Sequence, residues 1–259
     1  MSANTLALDA RDSSTMVRRQ LKRLVRYPSM TVQLVAMPVI FLFLFVYVFG
    51  STLGAGIGGD RGTYVNYVVP GILLMAATTA ATGTAVMVAT DMTEGIIARF
   101  RTMRISRASV LTGHVVASVV QQLLSMAVVV GVALAMGFRP NATAVEWLAA
   151  AGLLTLFVVA ITWLSVALGL KSPTPEAASN APMPLVFLPF LGSGFVPTDS
   201  MPTALRWFAE YQPFTPIMQT VRGLMLGTPI DNNAVIAIAW CAGIGVASYL
   251  WAKRTYNKS

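Results

Sequence analysis

Runs of residues without a single charge, each about as long as a membrane is thick, constrain this chain more than any other feature. A hydrocarbon core is about 30 Å across, which roughly 20 helical residues span. Inside it every backbone polar group needs an internal partner, so a run of that length folds as a helix. Val32 to Phe49 and Tyr67 to Ala89 are such runs, and Val115 to Met136, Trp147 to Leu170 and Val235 to Trp251 follow. A sixth, Ala181 to Val196, is shorter and carries Pro182, Pro184 and Pro189. Those prolines free carbonyls that have to find donors on neighbouring helices, so this span is expected to be packed against protein. The fold class read from the pattern is an all-α integral membrane protein with six transmembrane helices, in a single transmembrane domain over residues 1–259. Composition agrees: 56% of residues are hydrophobic and 11% charged, where soluble domains carry about 25% charged.

Orientation follows from the basic residues. Fourteen of the 18 lysines and arginines precede the first span, lie between the second and third, follow the fourth or follow the sixth. Arg61, Arg139, Arg206 and Arg222 occupy the opposite side. The excess of positive charge on inner loops puts both termini in the cytoplasm of a multi-pass protein. The N-terminal charges run to Arg26 and are followed by a full span, which argues against a cleaved signal. The net charge of +8 lies mostly on that inner side and suits anionic lipid headgroups; nothing points to nucleic acid.

Two inner segments carry more than charge. In residues 13–27, Val17, Leu21, Leu24 and Val25 share one helical face while Arg18, Arg19, Lys22 and Arg23 share the other, which predicts an interfacial helix lying on the membrane. In residues 91–105, Met92, Ile96, Phe100 and Met103 form an apolar stripe flanked by Arg99 and Arg101, with Glu94 on the far side. A loop that only held topology would need the arginines but not the stripe. A short helix pressing against another protein would need both.

The stretch between the last two spans, residues 197–229, is apolar but interrupted by Arg206, Glu210 and Arg222 and broken at Pro213 and Pro216. Each half is too short to cross a bilayer. The expectation is a re-entrant extracellular hairpin of two half-helices, with Arg206 and Glu210 paired at i, i+4.

Several chemistries are disfavoured. No glycine-lysine pair exists, so the phosphate cradle of a nucleotide hydrolase is missing, and the glycine run Gly54 to Gly62 reads as a flexible outer connection. Cys241 is the single cysteine and His114 the single histidine, which leaves no intrachain disulfide and no cysteine-cluster metal site. The spans hold no paired carboxylates, so an enzyme is not expected. An ion-coupled carrier would be expected to place charge at the midplane, where only Gln121, Gln122 and scattered threonines occur.

The segment DMTEGIIARFRTMRISRASVLTGHVV, Asp91 to Val116, resembles the first cytoplasmic loop of type 2 ATP-binding-cassette permeases of the daunorubicin-resistance kind. GFVPTDSMPTALRWFAEYQPFTPIMQTVRGLMLGTP, Gly194 to Pro229, is similar to the stretch before the last span in the same family. The likeness departs at Arg104, where such permeases usually carry proline, and at His114, often arginine there. It implies a half-transporter that assembles as a homodimer and binds two copies of an ATP-binding-cassette ATPase. The partner would hold ATP and Mg, and this chain would bind no cofactor. Residues 91–105 would be the coupling helix and 13–27 the connecting helix. The implied activity is export of an amphipathic drug or lipid-like molecule, hence multidrug efflux, across the plasma membrane of a bacterium. The alternatives are export of a cell-envelope glycolipid or polysaccharide precursor, or an ion-coupled carrier.

Overall fold

The computed structural model describes residues 28–94 and 107–258. Among them all regular structure is helical: α1 (Pro28–Phe43), α2 (Gly50–Gly56), α3 (Arg61–Thr93), α4 (Arg107–Ala135), α5 (Ala144–Lys171), α6 (Pro175–Asn180), α7 (Met183–Phe187), α8 (Thr203–Tyr211), α9 (Phe214–Leu226) and α10 (Asn233–Lys258). Four of these, α3, α4, α5 and α10, are long and apolar enough to cross a membrane. They coincide with four of the six expected spans.

Local chemistry explains their ends. The Asp60 side chain accepts from Thr63 N at 2.8 Å and opens α3; these bonds hold its carboxyl below the usual range. Thr143 and Glu146 form a reciprocal capping box at the start of α5, which closes at Ser172 before Pro173. Gly227, at a φ of 72°, lets α9 end in a left-handed turn.

The first span is bent. α1 passes through Pro38 into a π-helical stretch, Leu44–Val48, and turns by 69° into α2. The physical cause lies in its packing: Phe45 sits 4.5 Å from Phe195, and Phe41 meets Phe190 edge-on at 6.0 Å. The glycine run is likewise not a loose connection. Its first part is helical, and a side chain at Gly54 would collide with Asp60 O, so α2 lies directly on the start of α3.

The sequence Ala181 to Val196 does not form a regular helix. It starts as a turn after the end of α6, forms the single turn of α7 and continues as a series of turns. This is the span that the prolines interrupt, and a count of six regular spans is not what the helices show.

α3 is the centre of the bundle, in contact with α1, α2, α4, α5, α6, α7 and α9. Its buried face, from Tyr64 to Ala89, supplies much of the main core, to which α5 adds Phe157, Val158 and Ile161, and α9 adds Ile217, Met218 and Val221. α10 packs on α5 and α9 and leaves Val235, Ile238 and Val246 exposed, as a helix facing lipid would.

Candidate functional site

The residues singled out in the inner segments fall mainly outside the described residues: Arg18, Arg19, Lys22 and Arg23 of 13–27, and Ile96, Arg99, Phe100, Arg101 and Met103 of 91–105. Glu94 is described and caps the C-terminus of α3, its N–H bonded to Thr90 O at 2.9 Å. Residues 91–93 continue α3, and Met92 packs beside Val88, Val115 and Val166 of its own chain.

The segment 197–229 is described in full. It contains a short 3-10 turn, Thr198–Ser200, then α8 and α9 joined through Gln212. Pro213 precedes α9 and Pro216 lies in its first turn, where a missing N–H leaves no helical bond unmade. Arg206 bonds Glu210 at 2.7 Å, as the i, i+4 spacing predicts, and also Asp199 at 2.7 Å. All three are exposed, so the network adds little stability. On the same short helix Trp207 and Tyr211 are each 66% exposed and lie against one another. An aromatic surface of this kind suits a membrane–water boundary.

Arg222 does something different. It is half-buried, its Nη2 donates to Ser193 O at 2.7 Å and to Tyr67 O at 3.0 Å, and its guanidinium lies 3.8 Å from the centre of the Tyr67 ring. No carboxylate among the described residues pairs with it. Its charge is met by carbonyl dipoles and the face of an aromatic ring.

Those carbonyls belong to a larger arrangement. In the broken span, Leu188 O accepts from Gln212 Nε2 at 3.1 Å, Ser193 O from Arg222, and Phe195 O from the Tyr64 hydroxyl at 3.2 Å. Ser193 N–H is taken by Thr215 Oγ1 at 3.2 Å. Carbonyls of the irregular stretch that follows α7 are therefore met by side chains of α3, α9 and the turn between α8 and α9, as backbone without helical bonds requires in an apolar bundle. Close approach makes this possible. A side chain at Gly71 would lie 2.7 Å from Gly194 O, and one at Gly192 only 2.6 Å from Gln212 Nε2.

The structure thus brings Arg222 to the broken span but leaves Arg206 and Glu210 on an exposed helix face. Sequence reasoning did not single out Tyr64, Tyr67, Gln212 and Thr215. Gln212 alone had a visible signal, a polar side chain directly before a proline at a helix break. Among the described residues no group of three His, Cys, Asp or Glu could hold a metal ion.

Long apolar helices around a broken segment whose backbone is satisfied by side chains define a multi-pass membrane protein. The chain belongs to the ABC-2 type transporter family, which matches residues 12–226. It is similar to the daunorubicin resistance ABC transporter permease protein DrrB1 of Streptomyces coeruleorubidus, with 26% identity over 231 residues, covering 89% of this chain and 80% of that protein. It is also similar to the probable doxorubicin resistance ABC transporter permease protein DrrC of Mycobacterium tuberculosis, with 24% identity over 245 residues, covering 95% and 88% of the two chains. These relatives are named as permeases of drug-resistance transporters, and the family implies an ABC ATPase as partner.

Proposed function

We propose that this chain is the membrane-spanning subunit of an ATP-driven exporter that moves an amphipathic drug or lipid-like molecule out of the cytoplasm or inner leaflet. The observation that carries the reading is the match to the ABC-2 family over residues 12–226, which takes in the first inner loop and the helix pair before the last span. Six crossings are reached if the bent α1–α2 pair and the broken α6–α7 segment each count as one, and both termini then face the cytoplasm. ATP and Mg belong to the partner, two copies of which serve a dimer of permeases, and this chain binds no cofactor. α8 and α9 dip into the outer leaflet and border the exit, a placement favoured by the exposed aromatic face of α8 and the carbonyl-satisfying contacts of α9.

Coupling falls to the inner loop. Ile96, Phe100 and Met103 enter a pocket of the ATPase while Arg99 and Arg101 meet its rim. A buried aromatic anchor is worth about 2 kcal/mol or more, whereas rim charges act mainly on encounter and salt dependence. Phe100→Ala should therefore release the ATPase on co-purification, and Arg99→Ala or Arg101→Ala should chiefly flatten its salt dependence. Full ATPase binding and normal efflux in Phe100→Ala would overturn the assignment.

A further inference from the structure

Between α3, α4 and α5 runs a column of buried polar side chains that the transport reading does not use: Thr84, Ser118, Gln122, Ser125, Thr162 and Ser165, none more than 8% exposed. Thr84 Oγ1 donates to Ser118 Oγ at 3.1 Å, tying α3 to α4. Gln122 Nε2 donates to Thr162 Oγ1 at 3.0 Å, tying α4 to α5, and the Thr162 hydroxyl donates in turn to Val158 O at 2.7 Å. Three atoms have no partner: Gln122 Oε1, Ser125 Oγ and Ser165 Oγ. Buried polar groups seldom go unpartnered in an apolar bundle.

The spacing of these atoms is informative. α4 runs antiparallel to both neighbours, since Val115 shares one buried cluster with Val88 of α3 and Val166 of α5 while Ser118 meets Thr84 and Gln122 meets Thr162. If α4 moves three residues towards its Arg107 end, about 4.5 Å at about 1.5 Å per residue with a rotation of about 60° about its axis, Ser125 comes opposite Thr162. Gln122 comes opposite Ser165. Gln121, half-buried here, takes the place of Ser118 opposite Thr84. Both unpartnered serines then have a partner, and no tie between helices is lost.

We propose that α4 has two hydrogen-bonded registers against α3 and α5, one helical turn apart, and that the one described is held by its far end. There Arg139 N–H donates to Asn66 Oδ1 at 2.9 Å and Asn141 N–H to Met225 O at 3.0 Å. These two tethers oppose the shift. Gly137, at a φ of 106°, gives the connecting loop a place to extend. One-turn steps between packed helices are a known form of two-state switch, because interdigitated surfaces have discrete rather than continuous settings. Here the step would link the two ends of the protein: α4 follows directly on residues 95–106, and Asn141 holds Met225, one turn from Arg222 on α9. That use in transport rests on the proposed function. The existence of the second register does not.

The test uses spin labels at Leu124→Cys and Leu148→Cys, both lipid-facing at 60% and 73% exposure, in a Cys241→Ala background. The labelled permease is diluted into unlabelled chain in lipid nanodiscs and the distance distribution measured by pulsed electron resonance. Ser118→Ala removes a tie found only in the described register and should enrich a population about 4 Å longer. Ser125→Ala/Ser165→Ala removes ties found only in the shifted register and should deplete it. Identical distributions in wild type and both variants would overturn the proposal. Adding the partner ATPase with a non-hydrolysable ATP analogue should enrich the longer distance. Variants that respond while nucleotide does not would leave the two registers and refute their role in coupling.

Discussion

Arg222 illustrates how one side chain can hold a broken span. It bridges Tyr67 O on α3 and Ser193 O in the broken segment through one guanidinium, at 3.0 and 2.7 Å, with its face on the Tyr67 ring. Arg222→Ala leaves both carbonyls short of a donor, and each such loss costs about 1–3 kcal/mol. Arg222→Lys keeps the charge but not the planar fork. Thermal unfolding in detergent and efflux per assembled transporter should both rank wild type above Lys and Lys above Ala; an Ala variant as stable as wild type would refute the clamp. Glu210 contrasts with it. Because the Arg206–Glu210 pair is exposed, Glu210→Ala should change stability by less than about 1 kcal/mol. Lower efflux in an assembled Glu210→Ala transporter would place α8 on the substrate route, and unchanged efflux would make it a cover only. The Arg206–Glu210 contact was legible in the sequence because i, i+4 neighbours on a helix must meet. The partners of Arg222 were not, since carbonyls 155 and 29 residues away leave no mark in the side-chain pattern.

At the scale of elements, glycines separate packing sites from open ones. A side chain at Gly71 would collide with the backbone of Gly194 at 2.7 Å, whereas one at Gly152 meets nothing within 4 Å. Gly71→Ala should lower stability by about 1–3 kcal/mol through overpacking. Gly152→Ala should be neutral or raise it by up to about 1 kcal/mol. Equal midpoints for the two variants would contradict the close packing of α3 on the broken span. The same contrast explains what could be read in advance. α3, α4, α5 and α10 were legible because long charge-free runs permit little else in a membrane. The bend after Phe49 was not, because it depends on Phe45 meeting Phe195, residues far apart in sequence. For the broken span, the prolines announced that a helix would fail and that its carbonyls would need donors, but not which side chains would supply them.

For the whole molecule, apolar residues on α1 and the π-helical stretch after it, including Ile40, Phe43 and Tyr47, and on the broken span, including Met183 and Phe187, are about half exposed. α1 and the broken span are themselves joined by Phe41, Phe45, Phe190 and Phe195, so both faces belong to one rigid edge. We propose that a second permease chain covers this edge; Gly192 and Gly194, buried against Gln212, Thr215 and Met218 of the same chain, are not part of that face. Single cysteines along residues 37–48 and 183–191 should crosslink between chains, and a strictly monomeric active preparation would exclude this contact. The central claim is that an ATPase partner, not an ion gradient, drives substrate through this chain. It is tested most directly in proteoliposomes holding the permease and its ATPase, with daunorubicin as the transported probe. Movement should require ATP, stop when the ATPase carries an inactive site, and persist when proton and sodium gradients are collapsed; movement driven by an ion gradient through the permease alone would contradict it.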